Sequence, residues 1–294
     1  MSATSSTDSA RLHRRGVLLI LAAALLWSAA GFFSRAIPVD LWTMQAGRAM
    51  SGGLLLLLIA LWQHGRATPR VFAAIGWIGL AVVPLAAAGM VSFIAALKFA
   101  TVAQVMIVYA TQPFVSAAQA LVLLGEPMGR RTVIASAAAV AGVAISVAGG
   151  PQGGNLIGVA LAFLMVFTFG FVMVLARGRH EISMTAVNCL AALLCVAVCW
   201  PLAQAAPLGW QTIALLALFG ASTLGLGMFL LMAGARHVPS GEASLLALLD
   251  VPLSPLWVWL AFGEQAGAAS MVGGAIVLGA LVWQIAGASG PPQP

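Results

Sequence analysis

Charge is what this sequence has least of. Only 7% of its 294 residues are Asp, Glu, Lys or Arg, whereas a soluble domain carries about a quarter, and 62% are hydrophobic. That shortage excludes a soluble globular fold and leaves an integral membrane protein. Other absences narrow the chemistry. There is no Gly-Lys-Ser/Thr phosphate loop, so the chain does not itself use ATP, and no His-Glu-x-x-His pair, which speaks against an intramembrane metalloprotease. The three cysteines, Cys189, Cys195 and Cys199, share one apolar run without paired-cysteine metal spacing and read as packing residues. The four histidines, His13, His64, His180 and His237, fall outside the apolar runs with no acid partner in view. The expectation is a protein that is not an enzyme and needs no metal or cofactor.

What remains is long apolar sequence. A span of the hydrocarbon takes about 20 residues, and the chain divides into ten runs, at 16–35, 41–62, 72–97, 102–124, 130–149, 155–176, 184–203, 210–234, 242–262 and 269–287. The fold class is therefore all-α, with ten transmembrane helices and no room between them for a soluble domain. The first run follows "RLHRRG" and contains "WSAAG", which resembles a secretory cleavage site. It is too long for one and its pattern recurs later, so it is read as a retained helix. With the N-terminus cytoplasmic, one side of the membrane holds Arg11, Arg14, Arg15, Arg66, Arg70, Arg130, Arg131, Arg177, Arg179 and Arg236. The other side holds Arg35 and Lys98, so both termini are expected in the cytoplasm. The net charge of +6 is then topological, and no aromatic-interleaved basic patch suggests a nucleic-acid partner.

The chain repeats itself. "GVLLILAAALLWSAAGFFSR" from Gly16 aligns with "GVALAFLMVFTFGFVMVLAR" from Gly158 at a shift of 142, which carries Trp27 onto Phe169 and Arg35 onto Arg177. A shift of 138 carries Gly89 onto Gly227, Lys98 onto Arg236 and Gly125-Glu126 onto Gly263-Glu264. Five spans per unit is an odd number, so the second unit enters the bilayer inverted relative to the first, as in many secondary transporters. The expected organisation is a tail at 1–15, a first unit at 16–150, a second at 155–287 and a tail at 288–294, joined through "GGPQGGN".

In each unit a proline in the fourth span is followed by Gly-Glu, as "QPFVSAAQALVLLGE" and "VPLSPLWVWLAFGE". With the span count and the duplication, these pieces make the chain resemble a ten-helix, EamA-type member of the drug/metabolite transporter superfamily. The bacterial exporters of aromatic amino acids in that superfamily are also similar, without a private motif. The resemblance implies a multi-pass protein of a bacterial inner (plasma) membrane with a small-molecule substrate. The short four-helix relatives couple protons through a glutamate in the first helix. Runs one and six here contain no acid, so that scheme does not carry over.

Several residues stand out against the apolar background. Pro113 and Pro252 occupy nearly corresponding places, and each frees a carbonyl four residues earlier, at Tyr109 and Leu248. Pro255 adds a third expected kink. Gln112 and Asp250 sit beside these breaks, and Asp250 is the only acid near mid-membrane. It either meets a substrate ammonium or a transported proton, or pairs with Arg48 or helix N–H groups to fix the bundle. Arg48 shares a helical face with Gln45 and Gly52 and either holds a substrate carboxylate or snorkels outward. Trp27, its counterpart Phe169, Tyr109 and Trp257 are aromatics that either line a cavity or pack the core. The remaining tryptophans, Trp42, Trp62, Trp77, Trp200, Trp210, Trp259 and Trp283, read as the interfacial belt. Glu126 and Glu264 read as structural, next to helix-ending glycines. Small faces at Ala138, Gly142 and Ser146, and at Ala275 and Gly279, allow close packing in the bundle or in a homodimer.

The expected function is export of small organic metabolites by alternating access, amino acids first and aromatic or bulky neutral ones favoured. Other metabolites or amphipathic drugs are the alternative substrates; a membrane enzyme or a scaffold is the alternative class. Monomer and homodimer stay open.

Overall fold

The computed structural model describes residues 3–149, 156–176, 182–204 and 207–288. Arg177, Arg179 and His180, and residues 150–155 of the joint between the units, lie outside the described residues. Among the described residues ten helices are long and apolar enough to cross a membrane. They are α1 (Ala3–Ala36), α2 (Leu41–His64), α3 (Gly76–Phe99), α4 (Val102–Leu124), α5 (Arg130–Ala148), α6 (Leu156–Ala176), α7 (Met184–Leu202), α8 (Trp210–Ala235), α9 (Ser240–Phe262) and α10 (Ala268–Ala288). No strand occurs among the described residues. In hydrocarbon every backbone polar group must be satisfied within the span, and helices do this.

Helix ends follow the local sequence. Asp40 caps α2 by accepting from the Trp42 and Thr43 N–H groups, and Ser183 caps α7 at the corresponding place through Ala186. Gly125 and Gly263 close α4 and α9, each with φ 69°, a left-handed conformation that favours glycine. Two spans are broken in mid-course. α4 consists of Val102–Tyr109 and Gln112–Leu124, and α9 of Ser240–Ala247 and Asp250–Phe262. Pro113 and Pro252 fall in the first turn of each second half, where a missing N–H costs least. The Leu248 carbonyl is taken up by the Val251 N–H at 3.1 Å. Pro255 behaves differently, for the helix Asp250–Phe262 runs on through it.

Packing between the units is pairwise symmetric. α3 packs on α6 as α8 packs on α1, α4 on α6 as α9 on α1, and α3 on α7 as α8 on α2, while α2 meets α7 and α5 meets α10 across the axis. Small residues set these approaches. A Cβ on Gly16 would lie 2.7 Å from Val238, and one on Gly158 would lie 2.7 Å from Ala100, the matching contact in the other unit. At the α5–α10 seam a Cβ on Gly142 would come 2.7 Å from the Gly273 carbonyl, and the Ser146 and Ser270 hydroxyls meet at 3.2 Å. The expected small face of α5 is thus used. That of α10 is not: Ala275 and Gly279 are exposed, and Ser270, Gly273 and Val277 face α5 instead. Trp62, Trp77, Trp200, Trp210, Trp259 and Trp283 are exposed near span ends, as a belt requires, while Trp42 is half-buried.

Candidate functional site

α8 contains one turn of π-helix, Ala221–Leu226, at the place where the repeat-related α3 carries Pro84. Such a turn breaks the regular hydrogen-bond ladder and often marks a functional site. Thr223 lies in it. The Trp27 indole of α1 donates to the Thr223 carbonyl at 2.8 Å, while the Thr223 hydroxyl donates to the Phe219 carbonyl at 2.7 Å and accepts from Arg48 Nε of α2 at 3.4 Å. Two residues singled out by sequence, Trp27 and Arg48, therefore converge on one threonine that sequence reading passed over.

Arg48 is buried, at 5% exposure, rather than snorkelling. Its guanidinium lies 5.0 Å from the centre of the Phe219 ring and 5.6 Å from that of Phe93, and its Nη1 has no partner. One turn earlier Gln45 is fully buried with neither amide atom hydrogen-bonded. The Cys195 thiol of α7 approaches the Gln45 side chain without reaching hydrogen-bond geometry and donates instead to the Ala87 carbonyl at 3.6 Å. Arg48 and Asp250 form no ion pair with each other.

Asp250 opens the second half of α9, 3% exposed, and Tyr109 ends the first half of α4 at the break. Both broken helices thus bring a polar group to the break. Gln112 is turned along its own helix, donating to the Ser116 hydroxyl at 3.3 Å. Phe169 covers Gly89: a Cβ there would lie 2.6 Å from the ring, just as one on Gly227 would lie 2.6 Å from the Trp27 nitrogen. Trp257 donates to the Ser28 hydroxyl at 2.9 Å. The eight expected site residues therefore fall into Trp27, Arg48 and Gln45 on the Thr223 side, Tyr109, Gln112 and Asp250 at the breaks, and two further aromatics, Phe169 and Trp257.

Sequence reading also missed a clasp at one membrane face. Arg35 at the end of α1 holds Glu264 just beyond α9, Nε to Oε2 at 2.7 Å, with both side chains partly buried. The same guanidinium donates to the carbonyls of Leu97 and, at 3.0 Å, Ala100, and Glu264 also accepts from the Val102 N–H at 2.9 Å. Lys98 reaches the Val39 carbonyl at 2.9 Å. Glu264 is thus more than a helix-end residue. The available signal was that Arg35 and Glu264 each have a like-charged counterpart in the other unit, Arg177 and Glu126. At the opposite face, rich in arginine, a cavity of about 580 Å³ is lined by Leu56, Trp62, His64, Met228, Met232 and Arg236 among others. It lies about 12 Å along α2 from Arg48, since Leu56 is eight residues on and a helix rises 1.5 Å per residue. No group of metal-ligating residues occurs among the described residues.

Comparison with known proteins agrees with this architecture. A crystal structure of a protein 20% identical in sequence superposes with a TM-score of 0.59 over 91% of this chain and 95% of that one, which shows the fold. No curated protein matches the sequence. The EamA-like transporter family profile matches residues 14–148 and 156–285, one copy for each five-helix unit. Two matched copies spanning nearly all of a ten-helix chain mean that the protein belongs to the EamA-like transporter family.

Proposed function

We propose that the chain exports small organic metabolites from a bacterial cell by alternating access, as a secondary transporter of the inner membrane. Amino acids are the substrate class, with aromatic or bulky neutral ones favoured. The observation that carries the reading is the unequal state of two equivalent gaps. Met228 and Met232 of α8 line the cavity at the arginine-rich face, whereas their repeat counterparts in α3, Met90 and Ile94, are buried at 2% and 0% exposure beneath the Arg35–Glu264 clasp. Two units of one design in opposite states need only exchange states to move the opening across the membrane.

The arginine majority supports a cytoplasmic location for the open face and both termini, and a cavity on that side faces the compartment from which an exporter loads. Trp27, Phe169, Tyr109 and Trp257 supply aromatic surface near mid-membrane, and Arg48, Gln45, Gln112 and Asp250 supply polar ends. An amino acid with an apolar side chain matches that division. The test is counterflow: purified protein in liposomes loaded with phenylalanine is offered labelled amino acids outside. Exchange of aromatic but not charged amino acids supports the reading. Exchange of amines or sugars with no amino acid accepted would overturn it.

A further inference from the structure

A guanidinium buried in an apolar bundle costs several kcal/mol unless a counter-charge and hydrogen bonds meet it. Arg48 has neither in full. Its two aromatic neighbours, Phe219 and Phe93, offer their ring faces, which is partial compensation. Its Nε hydrogen bond to Thr223 is long, at 3.4 Å, and Nη1 is unpartnered. One turn away, both polar atoms of Gln45 are equally unpartnered at 0% exposure. Residues three apart on a helix share a face, with Cβ atoms about 5–6 Å apart. Asp250 forms no ion pair with Arg48. Buried polar groups without partners point to a partner that comes and goes.

We infer that Arg48 and Gln45 form the receptor for a single carboxylate on the transported molecule, closed on two sides by Phe93 and Phe219. The inference rests on the transport reading above and names the group that the site selects. One carboxylate oxygen takes Arg48 Nη1, the other takes Gln45 Nε2, and Gln45 Oε1 is left to accept an N–H such as that of an α-ammonium. A phosphate dianion fits less well, because one cation stands against two negative charges and the Gln45 oxygen repels a further anionic oxygen. The Phe93 and Phe219 faces exclude water from the pair, which strengthens it. Thr223 is a positioning residue: it orients the guanidinium from the π-turn and ties it to Trp27.

The test separates the carboxylate from the rest of the substrate. Thermal unfolding of detergent-solubilised protein is measured with 3-phenylpropionate, which has the carboxylate and no amine, and with 2-phenylethylamine, which has the reverse. 3-Phenylpropionate is expected to raise the melting temperature and 2-phenylethylamine to leave it unchanged. Arg48→Met should melt at or above the wild-type temperature without ligand, because an unpaired buried charge is gone. It should also lose the 3-phenylpropionate shift, with binding weakened roughly thirtyfold or more. Arg48→Lys, which keeps the charge but not the planar fork, should fold and bind about tenfold more weakly. Equal shifts from the two probes, no shift from 3-phenylpropionate at millimolar concentration, or a shift retained in both variants would overturn the inference. The two proposals fail separately. Phenylalanine counterflow undiminished in Arg48→Met would remove the carboxylate site and leave amino-acid export standing. Arg48-dependent 3-phenylpropionate binding in a protein that exchanges no amino acid would leave the site standing and remove the export reading.

Discussion

The Arg35 guanidinium and the Glu264 carboxylate meet at 2.7 Å although 229 residues separate them, and they belong to different units of the repeat. Around that contact the ends of α1, α3, α4 and α9 are tied by hydrogen bonds to Leu97, Ala100 and Val102. Opening that face means breaking these bonds together. A partly buried pair of this kind is worth on the order of 1 kcal/mol, enough to bias an equilibrium between two states of similar energy without locking it.

Removing the charge should therefore shift the balance rather than unfold the protein. Glu264→Gln is expected to increase, several-fold, the rate at which a cysteine placed at Ile94 reacts with a membrane-impermeant thiol reagent added at the clasp face. The native cysteines are buried and supply a low background. The reversed pair, Arg35→Glu with Glu264→Arg, should bring the rate back toward that of the wild type; an unchanged rate in Glu264→Gln would remove the clasp from the account.

Trp27 and Phe169 each lie over a glycine of the other unit. Gly227→Val and Gly89→Val should both force a ring out of place and lower the melting temperature, by about 1–3 kcal/mol of stability each, as overpacking does. Trp27→Phe removes the indole N–H bond to Thr223 together with part of the ring packed on Gly227 and should cost at least about 1 kcal/mol. Trp27→Ala should weaken transport of aromatic substrates more than aliphatic ones, whereas Glu126→Ala should mainly lower folded yield. Equal loss for every substrate in Trp27→Ala would argue against a specific contact.

Asp40 offers a pH-dependent term outside the spans. Partial burial works to raise its carboxyl, but hydrogen bonds from the Thr43 hydroxyl and from the Thr43, Trp42 and Gln204 N–H groups outweigh it and hold the group below its ordinary value. A carboxyl lowered on folding stabilises the fold above its unfolded value, and that contribution disappears as pH falls through the folded one. Asp40→Ala should cost about 1 kcal/mol at neutral pH, and the difference from wild type in thermal unfolding should shrink toward pH 3.

Much of this architecture was legible in sequence. The ten spans follow from apolar run length, and the two units from residues that recur at shifts of 142 and 138. Pro113 and Pro252 lie in the first turn after each break, where a missing N–H acts locally. What depends on a partner was not legible. Ala275 with Gly279 and Ser270 with Gly273 are both small-residue faces of one helix, and only the placement of α5 decides which is used. Nothing in "ASTLGL" distinguishes a π-turn from an α-turn, so Thr223 passed unnoticed while Trp27 and Arg48, which it joins, did not. Glu264 looked like a helix end because its ion partner lies in the other unit.

Alternating access between inverted units is tested most directly by labelling single cysteines at Met232 and at its counterpart Ile94 from each side of the membrane, with and without substrate. Met232→Cys should react from the arginine-rich face and Ile94→Cys should be protected, with substrate shifting reactivity toward Ile94→Cys at the opposite face. Both positions reacting from the same face, or reactivities that substrate never changes, would contradict the account.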